Sequence, residues 1–131
     1  MRRRMTRFHG KWKILDTMTT VLHIRKRADF LKARASGKSA ATSGLVLQTY
    51  KRNDSDNSIR VGFTATTKLG NAVIRNKVKR RLRAAAREII NKHAKPGHDY
   101  VIIGRFRSAT RDFQALLKDL KYALHNTDTF K

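Results

Sequence analysis

Apolar and polar residues alternate strictly over Ile59–Thr66. Ile59, Val61, Phe63 and Ala65 fall on one side, and Arg60, Gly62, Thr64 and Thr66 on the other. That is the period of a half-buried strand. A β-prone run, Leu45–Tyr50, lies before it across the polar cluster Lys51–Ser58 (KRNDSDNS), so the pair reads as a hairpin with a long loop. Upstream, Ile24, Ala28, Leu31 and Ala35 recur at helical spacing and Gly37 follows as a stop, which predicts a helix packing through that stripe. The strongest helical pattern starts at Asn71 or Ala72 and runs to His93, where Pro96-Gly97 ends it. Tyr100–Gly104 (YVIIG) is continuously apolar and reads as a buried strand. A last helix over Thr110–His125 carries the stripe Phe113, Leu116, Leu117, Leu120 and Leu124, with Ser108 or Thr110 as its cap.

With Lys38–Thr42 as a short first strand, the order is αβββαβα. This is an α+β domain, one sheet with helices against it, spanning residues 21–126. Residues 127–131 read as a short C-terminal tail. Residues 1–20 are basic and show no sustained periodicity, so the plain reading is an arm without regular structure. A transit peptide and an over-long start ahead of Met18 are the alternatives.

Charge changes the picture most. Among 131 residues, 31 are Lys or Arg and 9 are Asp or Glu, a formal net charge of +22. Self-repulsion of this size destabilises a compact chain, and a polyanion relieves it. Nucleic acid and an anionic membrane surface are the two candidate partners. No apolar stretch approaches the roughly 18–20 residues that span a bilayer. The chain has no Cys, which removes disulfides, thiolate zinc sites and thiol nucleophiles, and is compatible with a cytoplasmic location. His9, His23, His93, His98 and His125 are scattered without metal-ligand spacing, and no triad or carboxylate pair stands out. The residues therefore offer no catalytic group and no metal site. Asp29, Glu88 and Asp99 read as local charge partners.

The window Lys68–Arg87 (KLGNAVIRNKVKRRLRAAAR) holds eight basic residues and no acidic one. At 100° per residue, with Val78 at 0°, Leu82, Ala85 and Ile89 fall within about 40° of it. Asn76, Lys79, Arg80, Arg83 and Arg87 cluster between roughly 100° and 200°. Most charged helix faces are simply solvated, but those mix signs, because like charges at i,i+4 destabilise a helix. Lys79/Arg83 and Arg83/Arg87 are both like pairs. Phosphates would neutralise them, so this face is read as a nucleic-acid contact. A membrane role fits least, since the apolar stripe is narrow and carries no Trp or Phe.

Within that window, Gly-x-Ala-Val-x-Arg-Asn-x-x-Lys-Arg-x-x-Arg runs without a gap from Gly70 to Arg83. Together with RVGFT (Arg60–Thr64), RADF (Arg27–Phe30), Gly37 and DYVIIGR (Asp99–Arg105), it resembles the bacterial ribonuclease P protein from about Leu22 to Leu124. The resemblance implies a central, mostly antiparallel sheet and an unusual left-handed βαβ crossover, where physical reasoning alone expects a right-handed one. It also implies a subunit of an endoribonuclease whose RNA partner performs the chemistry on Mg²⁺ held mainly by that RNA. The partners are then the catalytic RNA and the 5′ leader of precursor tRNA, with no membrane and no obligate protein partner.

By the same resemblance, Lys68, Arg75, Asn76, Lys77, Lys79, Arg80, Arg83 and Arg87 contact the catalytic RNA. Lys77 stands where the family more often has Arg, which keeps the charge and loses the bidentate fork. A cleft between the first helix and the sheet holds the leader, through Arg27, Phe30, Arg34, Gln48, Tyr50, Arg60, Thr64 and Thr66. Phe30 lies off the apolar stripe between Arg27 and Arg34; it either stacks on a base or belongs to the core at a helix edge. Tyr50 either supplies a stacking surface or packs elsewhere. Arg34 and Gln48 stand where many relatives carry aromatics, and Thr67 where a second Lys is common, so the cleft is expected to rely more on charge and hydrogen bonds than on stacking. Two rival readings remain at this point. One is a structural RNA-binding protein of ribosomal type, and the other is a DNA-binding architectural protein without helix-turn-helix signals.

Overall fold

A computed structural model describes residues 5–8, 11–14 and 20–131. From Arg27 onward the order is α1 (Arg27–Ser36), β4 (Lys38–Ala41), β5 (Leu45–Lys51), β6 (Ile59–Thr64), α2 (Ala72–His93), β7 (His98–Gly104) and α3 (Phe113–Asn126). This is the expected αβββαβα. Before it come β1 (Met5–Phe8), β2 (Lys11–Ile14) and β3 (Thr20–His23). The expectation of an arm without regular structure therefore fails for Met5–Phe8, Lys11–Ile14 and Thr20; the rest of residues 1–20 lies outside the described residues. The reason lies in β3, which pairs with β6 on one side only, so β2 takes up the backbone groups along its other edge.

The sheet runs β1-β2-β3-β6-β7-β5-β4. Pairings β3–β6 and β6–β7 are parallel and the other four are antiparallel. Adjacent, parallel β6 and β7 are joined through α2, so the basic helix is the connection of a βαβ unit.

Helix α2 forms as its sequence dictates. The Asn71 side chain caps it, accepting from the Ile74 N–H at 3.1 Å. Val78, Leu82, Ala85 and Ile89 are all buried, joined by Ala86 and Ile90. They meet Leu45, Leu47, Ile59, Val61, Tyr100 and Ile102 from the sheet and Leu116, Leu120 and Leu124 from α3 in the main core. Each fully buried Leu or Ile contributes about 1.5–3 kcal/mol by leaving water. Gly104 permits the close approach: a Cβ there would sit 2.5 Å from Val78 Cγ1. Helix α3 starts later than expected, with Asp112 as its cap, accepting from Ala115 N. Ser108 instead closes a 3-10 turn, Phe106–Ala109.

Helix α1 packs on the opposite face of the sheet, and not through the expected stripe. Ala28, Leu31 and Ala35 are exposed, while Ala33 is buried and Phe30 half-buried. With Ile24 and Val101 they form a second, small cluster. An aromatic ring removes more apolar area from water than alanine methyls do, so the ring decides which way this short helix turns. Gly62 makes room for it: a Cβ there would meet the Phe30 ring at 2.5 Å.

The short C-terminal tail, residues 127–131, folds back. Thr127 and Thr129 are buried, and Phe130 bridges to Ala94. Its ring stacks between His93 (centroids 4.8 Å apart) and His125 (3.9 Å). Burial, then the nearby charges of Lys121, Lys92, Lys131 and His125, hold the His93 imidazole below its ordinary value. His98 is lowered too, chiefly by burial and against a contact with Pro96 O that raises it. Below about pH 6.5 the unfolded chain binds protons at both positions that the folded chain resists. Stability therefore falls as pH drops through that region. Melting temperatures from pH 7.5 to 5.5 should decline, and a His93→Gln/His98→Gln variant should show a flatter decline. Identical slopes for the two proteins would refute the assignment.

Candidate nucleic-acid interface

The cleft and the basic helix form one surface. Arg25, Arg27, Phe30, Leu31 and Arg34 make one wall, and Gln48, Val101 and Ile103 of the sheet make the floor. Phe63 to Thr66, at the end of β6, and Lys79 of α2 close the far side, around a volume of about 610 Å³. Phe30 packs at the helix edge, its Cε1 and Cζ against Gly62, and also lines the cleft.

Of the expected cleft residues, Arg27, Phe30, Arg34, Gln48, Thr64 and Thr66 come together here. Two do not. Tyr50 packs against the Ile24–Ala33–Val101 cluster and lines a separate hollow with Lys51, Lys95 and His98. Arg60 turns into an ion-pair cluster. Its Nε and Nη2 donate to the two oxygens of Asp99 at 2.6 and 2.5 Å, and its Nη1 reaches Asp29 at 3.3 Å. The Asp99 hydrogen bonds, against some burial, raise its pKa and hold it fully charged. Arg60 thus ties α1 to β6 and β7.

Arg52 completes that cluster. It sits in what reads as a polar turn, yet its side chain is buried. It donates to Asp99 at 2.7 Å, to His98 O at 3.0 Å and to Ser58 O at 2.5 Å. The loop is built around this one guanidinium. Asp56 accepts from Ser58 N at 2.8 Å, which holds its carboxyl below the usual range.

On α2, Asn76, Lys77, Arg80, Arg83 and Arg87 are exposed and Arg75 and Lys79 half-buried, with exposed Lys68 in the 3-10 turn (Thr67–Leu69) ahead of the helix. The Arg75 Nε is buried with no hydrogen-bond partner. The Arg83 guanidinium lies 5.8 Å from the Phe63 ring centroid, so the cationic face leans over the cleft's edge. Arg25, Phe63 and Lys79 are cleft residues that the sequence reading placed elsewhere or passed over. None of the three stands out in the helical pattern: at about 100° Lys79 lies on the cationic face, farther from the apolar stripe than Arg75 at about 60°. Arg81 points the other way and is structural, donating to Ser108 O at 2.6 Å and to Arg111 O.

No helix among the described residues is long and apolar enough to cross a membrane. Four acids have close partners: Asp119 with Arg111, Asp29 and the buried Asp99 with Arg60, and Asp112 in the α3 cap. The described residues gather no group of three metal-ligating side chains.

Comparison with known proteins agrees with this geometry. A Ribonuclease P family model matches residues 18–128. A ribonuclease P protein component from Caulobacter vibrioides is 50% identical over 101 residues, covering 77% of this chain and 67% of that protein. The structure of the Staphylococcus aureus RNase P protein superposes with a TM-score of 0.70 at 29% identity, over 83% of this chain and 97% of that one. The Thermotoga maritima RNase P protein gives 0.63 at 31% identity, over 75% and 90%. The family model spans most of the chain and the solved relatives share its fold, so the protein belongs to the ribonuclease P protein family.

Proposed function

We propose that this chain, as the protein subunit of a ribonuclease P, binds the catalytic RNA through Lys68 and the Arg75–Arg87 face. It takes the single-stranded 5′ leader of precursor tRNA into the Phe30 cleft. The observation that carries this reading is the continuity of the two surfaces through Lys79 and Arg83. A strand leaving the RNA-bound face passes straight over a base-stacking ring. The guanidiniums of Arg25, Arg27 and Arg34 suit leader phosphates, and Gln48, Thr64 and Thr66 offer hydrogen bonds.

The chemistry belongs to the RNA in this reading, and so does the Mg²⁺, a reading supported by the buried and cleft-side carboxylates of Asp29 and Asp99 being taken up by Arg60 and Arg52. The protein contributes binding: leader contacts favour precursor over mature tRNA, since the product lacks the leader. Cytoplasmic action follows from the substrate.

The test is cleavage of precursor tRNA by a ribonuclease P RNA at low Mg²⁺, with and without the protein. Restored cleavage is the expected result. An RNA-bound protein that never promotes cleavage, with the cognate RNA included, would overturn it in favour of a structural RNA-binding role. Within the holoenzyme, Phe30→Ala should narrow the affinity ratio of precursor to mature tRNA by about tenfold, the loss of one stacked base. Equal weakening of both ligands would instead mean that Phe30 only supports the fold.

A further inference from the structure

A second aromatic surface lies where β7 runs out, on the α3 side of the sheet. Phe106 is 83% exposed and Tyr122 57% exposed, and both line one groove of about 760 Å³. Arg105 and Arg107, also exposed, flank Phe106 in sequence and share that groove. Solitary exposed apolar residues need no explanation. Two large aromatics facing one groove between arginines are a different case, because water contact with both rings is unfavourable and nothing among the described residues covers them.

The groove is held firmly. Ser108 Oγ donates to Gly44 O at 2.5 Å and accepts from Arg105 N at 2.8 Å. Arg105 Nη1 donates to Thr42 O at 2.7 Å, tying the turn to the β4–β5 connection. From below, Arg81 binds the carbonyls of Ser108 and Arg111. The one acid lining the groove, Asp119, is matched by Arg111 at 2.6 and 3.1 Å. What remains at the surface is two rings and a net positive charge.

We propose that this groove is a second RNA subsite, taking an unpaired segment whose bases stack on Phe106 and Tyr122 and whose phosphates meet Arg105 and Arg107. Stacking platforms between cations are the general means of holding single strands without reading their sequence. A protein partner would call for a wider apolar area than two rings, and the charge on a +22 chain favours a polyanion. The subsite is distinct from the leader cleft, which α1 covers on the opposite face of the sheet.

The test uses the full chain and a fluorescent oligoadenylate of about 12 nucleotides, within the range that single-strand sites cover. An abasic oligomer of equal length reports phosphate binding alone. With Phe30→Ala in both proteins, so that the leader cleft does not mask the loss, Phe106→Ala/Tyr122→Ala should weaken oligoadenylate by about tenfold and leave the abasic oligomer unchanged, as expected for lost stacking. The substituted side chains are mostly exposed, and an unchanged melting curve checks the fold. In a Phe30→Ala background, photo-cross-linking of a 5-iodouridine oligomer should still label Phe106 or Tyr122. The proposal fails if the double variant binds oligoadenylate like the parent, or if cross-links vanish with Phe30. It also fails if the double substitution abolishes self-association in sedimentation without touching RNA affinity, which would make the groove a contact between copies. None of these readouts depends on cleavage, so failure here leaves the subunit reading standing.

Discussion

Asp99→Ala should cost the domain about 3–5 kcal/mol, the expected effect of removing one partner from a buried ion pair. Asp99 is 1% exposed and takes hydrogen bonds from both Arg52 and Arg60. Its loss strands two cations in a site built to neutralise them, with the Arg52 side chain itself almost wholly buried. A domain of this size has roughly 5–15 kcal/mol in total, so the variant should unfold at much lower urea or fail to fold at growth temperature. Asp29 partners Arg60 only at 3.3 Å and is more exposed, so Asp29→Ala should do less to stability. The decisive comparison is a triple variant, Asp99→Leu/Arg52→Met/Arg60→Leu. Replacing the three charged groups by apolar ones removes the stranded charges as well as the pair and should recover part of the loss, short of what the carbonyls of His98, Asp56 and Ser58 lose when Arg52 goes. A single Asp99→Ala change within about 1 kcal/mol of the parent, the range of an exposed pair, would show that water reaches this cluster freely.

The position of that cluster explains much of what sequence patterns convey here and what they do not. Helix α2 was legible almost to the residue because three signals agree: the Asn71 cap, a periodic stripe and a Pro-Gly stop. The strands β5 to β7 were legible from alternation and from a continuous apolar run. Helix α1 turns away from its apparent stripe because two of the four positions, Ala28 and Ala35, bury little area, so Phe30, settling onto Gly62, decides the orientation and leaves Leu31 exposed. Arg60 and Arg52 were misplaced for a different reason. An arginine on the open side of a strand, or in a polar loop, has the same local pattern whether it meets solvent or a carboxylate 39 or 47 residues away. Only the register of β6 against β7, which pairs Arg60 with Asp99, decides it. The folded-back C-terminus was missed likewise, since Phe130 finds His93 and His125 only once α2 and α3 lie side by side.

Removing the basic face should separate binding from folding, because its two expected effects have opposite signs. In Arg75→Ala/Arg80→Ala/Arg83→Ala, the free protein should melt no lower than the parent. The like-charge pair Lys79/Arg83 and the pair Arg83/Arg87 disappear, each worth about 0.2–0.5 kcal/mol of destabilisation, and alanine is the better helix former. The unpartnered Arg75 Nε goes as well, and an unsatisfied buried donor is itself unfavourable. Affinity for the catalytic RNA should fall about a thousandfold, taking three charge-assisted hydrogen bonds at roughly 1.5 kcal/mol net each. The slope of log affinity against log salt should flatten by about 2–3, one counterion per phosphate contact given up. Cleavage at low Mg²⁺ should be lost and return when protein concentration is raised to offset the weaker affinity. A variant that binds the RNA normally, with an unchanged salt slope, would mean that this face is merely solvated. One that melts well below the parent would mean that these arginines serve the fold. Only weaker binding by an equally stable protein makes the cationic face of α2 a docking surface that phosphates, and not the chain itself, neutralise.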